Sequence, residues 1–178
     1  MMQKIAISVA VLLAVTAAAA FGTEQTVTED GYSQVVASEM TLGWRVVDEN
    51  LEVVVSAPTT GWIAVGFDPG RRMKDANIII GYVKAGAAVV RDDYGVTQTG
   101  HRADIGLDGG SADVFNIDGS EADGRTELRY TIPLDSGDKY DRALEPGQKY
   151  KVILAHGRAG ADTFGAYHAF RTSIEVTL

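Results

Sequence analysis

The chain has 178 residues, 22% of them charged, no cysteine and a formal net charge of −8. The lack of cysteine excludes disulfides, thiolate metal sites, covalent cofactor attachment through a C-x-x-C-H motif and a lipid-modified cysteine anchor. The acidic balance excludes nucleic acid, a polyanion, as a natural partner and otherwise serves solubility.

In chain order, the first element is a leader. Met1-Met2-Gln3-Lys4 precedes an uninterrupted small and apolar run from Ile5 to Ala20, the charged start and apolar middle of a secretory signal. Small residues at −3 and −1 permit cleavage after Ala20 or after Gly22. Residues 1–22 are therefore expected to be a signal peptide and residues 23–178 one domain, located in a periplasm or outside the cell. A run of about 16 apolar residues is shorter than the roughly 20 needed to cross a bilayer, and no positive cluster follows it, so no membrane span is expected after cleavage.

Strand-like runs then recur, separated by Gly, Pro, Asp and Asn: Thr41–Val47, Leu51–Ala57, Trp62–Phe67, Ile78–Val83, Ala87–Arg91, Val114–Ile117, Thr126–Ile132, Tyr150–Ala155 and Ala169–Leu178. Turn chemistry joins several of them, as in Asp48-Glu49-Asn50, Lys84-Ala85-Gly86 and Asp123-Gly124. No stretch carries a sustained helical period. The reading is an all-β, antiparallel, immunoglobulin-like β-sandwich of roughly nine to eleven strands. The segment Asp92–Asp113, with five glycines, reads as the longest irregular stretch. Along the last strand, alternation puts His168, Phe170, Thr172, Ile174, Val176 and Leu178 on one face, so His168 is expected to head the inward side.

Chemistry is sparse. There is no G-x-S-x-G elbow, no H-E-x-x-H, no phosphate loop and no G-x-G-x-x-G opening a helix, which argues against an enzyme. Acidic residues crowd Asp104–Asp123 without matching the D-x-[DN]-x-[DN]-G calcium loop, leaving a surface calcium site as an alternative. A zinc or copper site shared by His101, His156 and His168 is another. Met73 is an apolar thioether between Arg72 and Lys74 in an otherwise polar loop. It reads either as a plug for the sandwich edge or as a soft axial ligand which, paired with a histidine, suits an electron-transfer haem.

The run Gly61-Trp62-Ile63-Ala64-Val65-Gly66-Phe67, then Met73, then Asn77-Ile78-Ile79-Ile80-Gly81-Tyr82-Val83 resembles the DOMON domain family. The haem-binding branch, typified by the cytochrome domain of cellobiose dehydrogenase, is the most similar. Ile132-Pro133-Leu134-Asp135 with Asp138 and Asp141, Val152-Ile153-Leu154-Ala155 before Gly157, and Tyr167-His168-Ala169-Phe170-Arg171 extend the likeness over Gln34–Leu178. The chain departs from many members in having Asn77 for aspartate and Thr172 for glycine. The resemblance implies a non-covalent haem b with Met73 and His168 as metal ligands. Trp62, Phe67, Tyr82, Tyr167 and Phe170 are candidates for its apolar wall, and Arg71, Arg72, Lys74, Arg158 and Arg171 for its propionates.

It also implies an exported b-type electron-transfer protein that serves a redox partner protein. Two other readings remain. One is a haem-free carbohydrate- or ligand-binding module, with Trp44, Trp62 and Tyr94 as a stacking platform. The other is the haem subunit of a larger periplasmic dehydrogenase.

Overall fold

Leu51, Val53, Val55 and Ala57 alternate with Glu52, Val54 and Ser56, and the first set is buried at 1% exposure or less. This period-two pattern is what a strand with one face on a core requires. It recurs in several of the twelve strands of the computed structural model, which describes residues 24–178; the signal peptide expected at residues 1–22 lies outside the described residues.

The strands are β1 (Thr26–Val27), β2 (Ser33–Ala37), β3 (Met40–Val47), β4 (Asn50–Ala57), β5 (Ile63–Phe67), β6 (Asn77–Lys84), β7 (Ala87–Thr97), β8 (Gly100–Ala103), β9 (Phe115–Ala122), β10 (Arg125–Pro133), β11 (Lys149–Gly157) and β12 (His168–Thr177), with one 3₁₀ turn at Asp104–Gly106. They form two six-stranded sheets, β1-β2-β3-β4-β10-β9 and β12-β11-β5-β6-β7-β8. Every pairing is antiparallel. The all-β antiparallel sandwich read from the sequence is the observed architecture. Among the described residues, no helix is long and apolar enough to cross a membrane.

The strand list needs correction in three places. β1 and β2 were not foreseen, and β9 runs on to Ala122 as an exposed polar strand. The stretch Asp92–Asp113 is not irregular throughout: β7 continues to Thr97 and β8 returns beside it. The adjacent carboxylates of Asp92 and Asp93 look like a loop in sequence, yet they are 3% and 0% exposed inside a strand.

The main core lies between the sheets. Met40, Leu42, Leu51, Val53, Val55, Leu128 and Ile132 from the first sheet meet Ile63, Val65, Phe67, Ile79, Val152 and Leu154 from the second. A separate apolar cluster, Trp62, Ala64, Ala76, Ile78 and Ile80, lies on the opposite face of the second sheet. β5 and β6 are thus buried on both faces, which explains why they are apolar at nearly every position instead of alternating.

Candidate functional site

The outward faces of the two sheets differ sharply. On the first sheet that face is charged: Arg45 Nη2 lies 2.6 Å from Glu52 Oε2, Arg129 Nη2 lies 2.9 Å from Glu127 Oε1, and Tyr32 Oη donates to Glu52 Oε2 at 2.8 Å. On the second sheet it is apolar. Met73, Tyr82, Ile153, Ala155, Ala161, Phe164 and Ala166 pack around the Trp62, Ala64, Ala76, Ile78 and Ile80 cluster. The cluster residues are 8% exposed or less, because Met73, Tyr82 and the 161–166 connection pack over them.

Met73 reaches this face from the β5–β6 connection, which the backbone holds in one shape. Gly70 N donates to Lys74 O (2.9 Å), Lys74 N to Arg71 O (3.1 Å) and Ala76 N to Met73 O (3.2 Å). Arg72 and Asp75 adopt φ of 56° and 67°, the left-handed region that tight turns impose. Asp75 N donates to Gly95 O and Gly95 N to Ala76 O, at 2.8 and 2.9 Å, which fastens the connection to β7. Tyr94 Oη adds a 2.9 Å bond to Asp75 Oδ1. Met73 is half-buried and packs on the outer cluster, not into the edge of the main core.

His168 is placed by a β-bulge. Ala155 pairs with Arg171 and His156 with Phe170, but Gly157 pairs with His168, so Ala169 is an extra residue. An extra residue reverses the facing of what precedes it. Ala155 belongs to the outer cluster, so Arg171 faces outward. Phe170 stacks on His156, ring centres 5.5 Å apart, and packs on the main core. His168, opposite Gly157, turns outward, and its Nε2 lies 3.3 Å from Arg171 Nη1. The expectation that His168 heads the inward face is therefore corrected. It is exposed, on the same side of the sheet as Met73 and the outer cluster.

The candidate wall residues divide. Trp62 is 5% exposed within the outer cluster, with Gly157 directly beneath its indole. Phe67 is 2% exposed in the main core, and Phe170 also packs there, so neither lines the outer face. Tyr167 is 94% exposed and walls nothing. Tyr82 is on the face, its ring 5.1 Å from that of Phe164. Phe164, Ala64, Ala155, Ile78 and Ile80 were missed by sequence reading. The signal for Ala64, Ile78 and Ile80 was the unbroken apolar character of β5 and β6; Ala155, in β11, and Phe164, in a connection, gave none.

A polar network borders the face. Arg91 holds Asp93 through Nε and Nη2, at 2.5 and 2.7 Å, and places its guanidinium carbon 4.3 Å from the Phe164 ring centre. His101 Nδ1 contacts Asp93 Oδ2, the oxygen that also accepts from Arg91 Nη2. Burial pushes the Asp93 carboxyl up, but the bonds from His101 and Arg91 outweigh it and hold the group below the usual range.

His156 Nε2 lies 2.5 Å from Glu39 Oε1, so the three histidines have three different sets of partners. Among the described residues the side chains that converge, with one ligand atom each within 4.8 Å of the others, are instead those of Asp92, Asp104 and Asp141. Trp44, Trp62 and Tyr94 form no exposed platform either: the tryptophans are 2% and 5% exposed, and Tyr94 is engaged with Asp75.

The outer face fits a haem by its chemistry. It offers an apolar floor, a soft neutral thioether and an imidazole on one side of one sheet, with Arg71, Arg72, Lys74, Arg158 and Arg171 exposed on the segments around it.

The family model described as the DOMON domain matches residues 36–157. No curated protein matches the chain. Two solved structures share the fold. The cytochrome domain of Myriococcum thermophilum cellobiose dehydrogenase matches with a TM-score of 0.59 and 9% identity, covering 88% of this chain and 88% of that one. The cytochrome b domain of pyranose dehydrogenase from Coprinopsis cinerea matches with a TM-score of 0.56 and 10% identity, covering 86% and 80%.

Proposed function

Because the chain belongs to the DOMON domain family, we propose that it is an exported b-type haem protein that carries single electrons, with Met73 and His168 as the residues that would hold the haem iron. The observation that supports this most is the bulge at Ala169, which puts His168 on the outward, apolar side of the second sheet where Met73 also lies. The cytochrome domains that share the fold support the same reading.

When bound, haem iron with two neutral axial donors supplies one-electron exchange and leaves no coordination position for a substrate. The chain's own residues do the rest. Met73 offers a thioether that favours the reduced state, and the backbone bonds of its turn hold it without demanding a side-chain partner. His168 reaches solvent, and its ring nitrogen is engaged by the exposed Arg171 guanidinium alone. His168 would thus be available to hold haem iron, and Arg171 to pair with a carboxylate. Trp62, Tyr82 and Phe164 exclude water from the apolar floor. Arg71, Arg72, Lys74 and Arg158 supply the remaining cations for the propionates.

The role is that of a carrier or haem module serving a redox partner protein. Chemistry on a substrate would belong to that partner. Expression with haem available tests the cofactor: a red protein with one haem per chain supports the reading. A colourless, folded protein that takes up no added haem would favour a haem-free ligand-binding module. Stable co-purification with larger chains would identify it as a dehydrogenase subunit.

A further inference from the structure

Asp92, Asp104 and Asp141 come together from three separate segments: the strand β7, the 3₁₀ turn after β8, and the connection between β10 and β11. Asp92 and Asp104 are 3% and 0% exposed, and Asp141 is half-buried. Asp92 and Asp141 are each held at one carboxylate oxygen and bare at the other, and Asp104 is bare at both. Asp92 Oδ2 accepts from Asp113 N at 2.9 Å, and Asp141 Oδ2 accepts from Ser136 Oγ at 2.6 Å. Asp92 Oδ1, Asp141 Oδ1 and both oxygens of Asp104 are buried without a hydrogen-bond partner, as is the neighbouring Tyr130 hydroxyl. Asp104 has no side-chain bond to orient it. Its backbone is nevertheless pinned, because Leu107 N donates to Asp104 O at 2.8 Å and Gly110 passes so close that a Cβ there would lie 2.1 Å from that oxygen.

Three desolvated carboxylates aimed at one point, each with an unused oxygen, are costly unless protons or a cation neutralise them. The surrounding groups do not help: Asp113, Asp138 and Asp93 add negative charge. We propose that Asp92, Asp104 and Asp141 bind one calcium ion, which fastens the segments around Asp104 and Asp141 to the sandwich. The donors are oxygen alone, which selects a hard cation over zinc or copper. One ligand atom from each residue lies within 4.8 Å of the others. Three carboxylates from three separate segments make an irregular, all-protein oxygen set, which suits the adaptable shell of calcium better than magnesium, which demands a near-ideal octahedron and keeps several waters. The proposal does not rest on haem binding, because Asp92 faces the sandwich interior while Asp93 and Arg91 face the outer apolar side.

The test uses the whole chain, stripped with a chelator and measured with and without haem. Calcium chloride is titrated in by calorimetry, and thermal unfolding is followed at each concentration. One calcium should bind per chain and raise Tm. Asp104→Asn and Asp141→Asn should each weaken binding at least about tenfold. Without calcium, Asp104→Asn should leave Tm unchanged or raise it, since it removes repulsion, whereas a residue with a purely structural role would lower Tm equally in both conditions. Absence of binding at about 10⁻³ M calcium, the weak end for extracellular modules, overturns the proposal and leaves a proton-sharing carboxyl cluster. Magnesium binding as tight as calcium overturns the choice of ion.

Discussion

The carbonyl of Met73 occupies the space where a side chain on Gly95 would begin, for a Cβ at Gly95 would lie 1.6 Å from Met73 O. β7 therefore passes directly beneath the methionine turn, and the absence of a side chain at Gly95 sets how closely that turn sits on the outer face. Gly95→Ala must displace the turn or the strand. It should destabilise the fold by about 1–3 kcal/mol and reduce haem affinity. Gly106→Ala, where a Cβ meets nothing within 4 Å, is the control expected to change neither. Equal Tm values for the two variants would show that the turn tolerates displacement.

Gly157 and Trp62 form a second contact of the same kind. A Cβ on Gly157 would lie 2.5 Å from Trp62 Nε1, while Gly157 N donates to Trp62 O at 2.8 Å. Gly157→Ala should push the indole off the outer face beside the bulge, lowering Tm and weakening haem uptake together. Trp62→Phe should cost less than about 3 kcal/mol, the low end for truncating a core aromatic to alanine, because the ring is largely kept and the indole N–H is buried without a partner. Chemical denaturation measures both.

The acidic cluster gives the calcium-free protein a defined pH response. Burial, then neighbouring acids, pushes Asp92 up to about 8, Asp104 to about 7 and Asp141 to about 6. Unfolded carboxyls titrate near 3.8, so the folded chain holds protons that the unfolded chain releases. The resulting stability is fully present below about pH 4 and is lost as pH rises toward about 8. Unfolding free energies measured with a chelator present should fall across that window. Calcium should restore most at its upper end, where all three groups are ionised.

Much of the fold was legible in the sequence because burial leaves a period. The short strand-like runs between turn residues located β3, β4, β5, β6, β10, β11 and β12 to within a few residues. β8 could not be read because it is polar and exists through hairpin pairing with β7. The buried carboxylates of Asp92 and Asp93 hid the length of β7, since their burial depends on partners distant in sequence. Met73 stood out as an apolar side chain in a polar loop. The facing of His168 could not be obtained by counting, because one extra residue at Ala169 reverses the parity and only the pairing with β11 reveals it. Phe67 and Phe170 pack in the main core, because aromatic character alone does not say which side of a sheet a residue faces.

The central claim is that Met73 and His168 ligate one haem on the outward face of the second sheet. Visible absorption spectra of the haem-loaded chain, oxidised and dithionite-reduced, test it beside Met73→Ala and His168→Ala. The parent should show a six-coordinate, low-spin spectrum with sharp reduced bands. Both variants should convert to high spin or lose the haem. An unchanged low-spin spectrum in either variant would contradict the assignment of that residue, and a parent that binds no haem would contradict the claim as a whole.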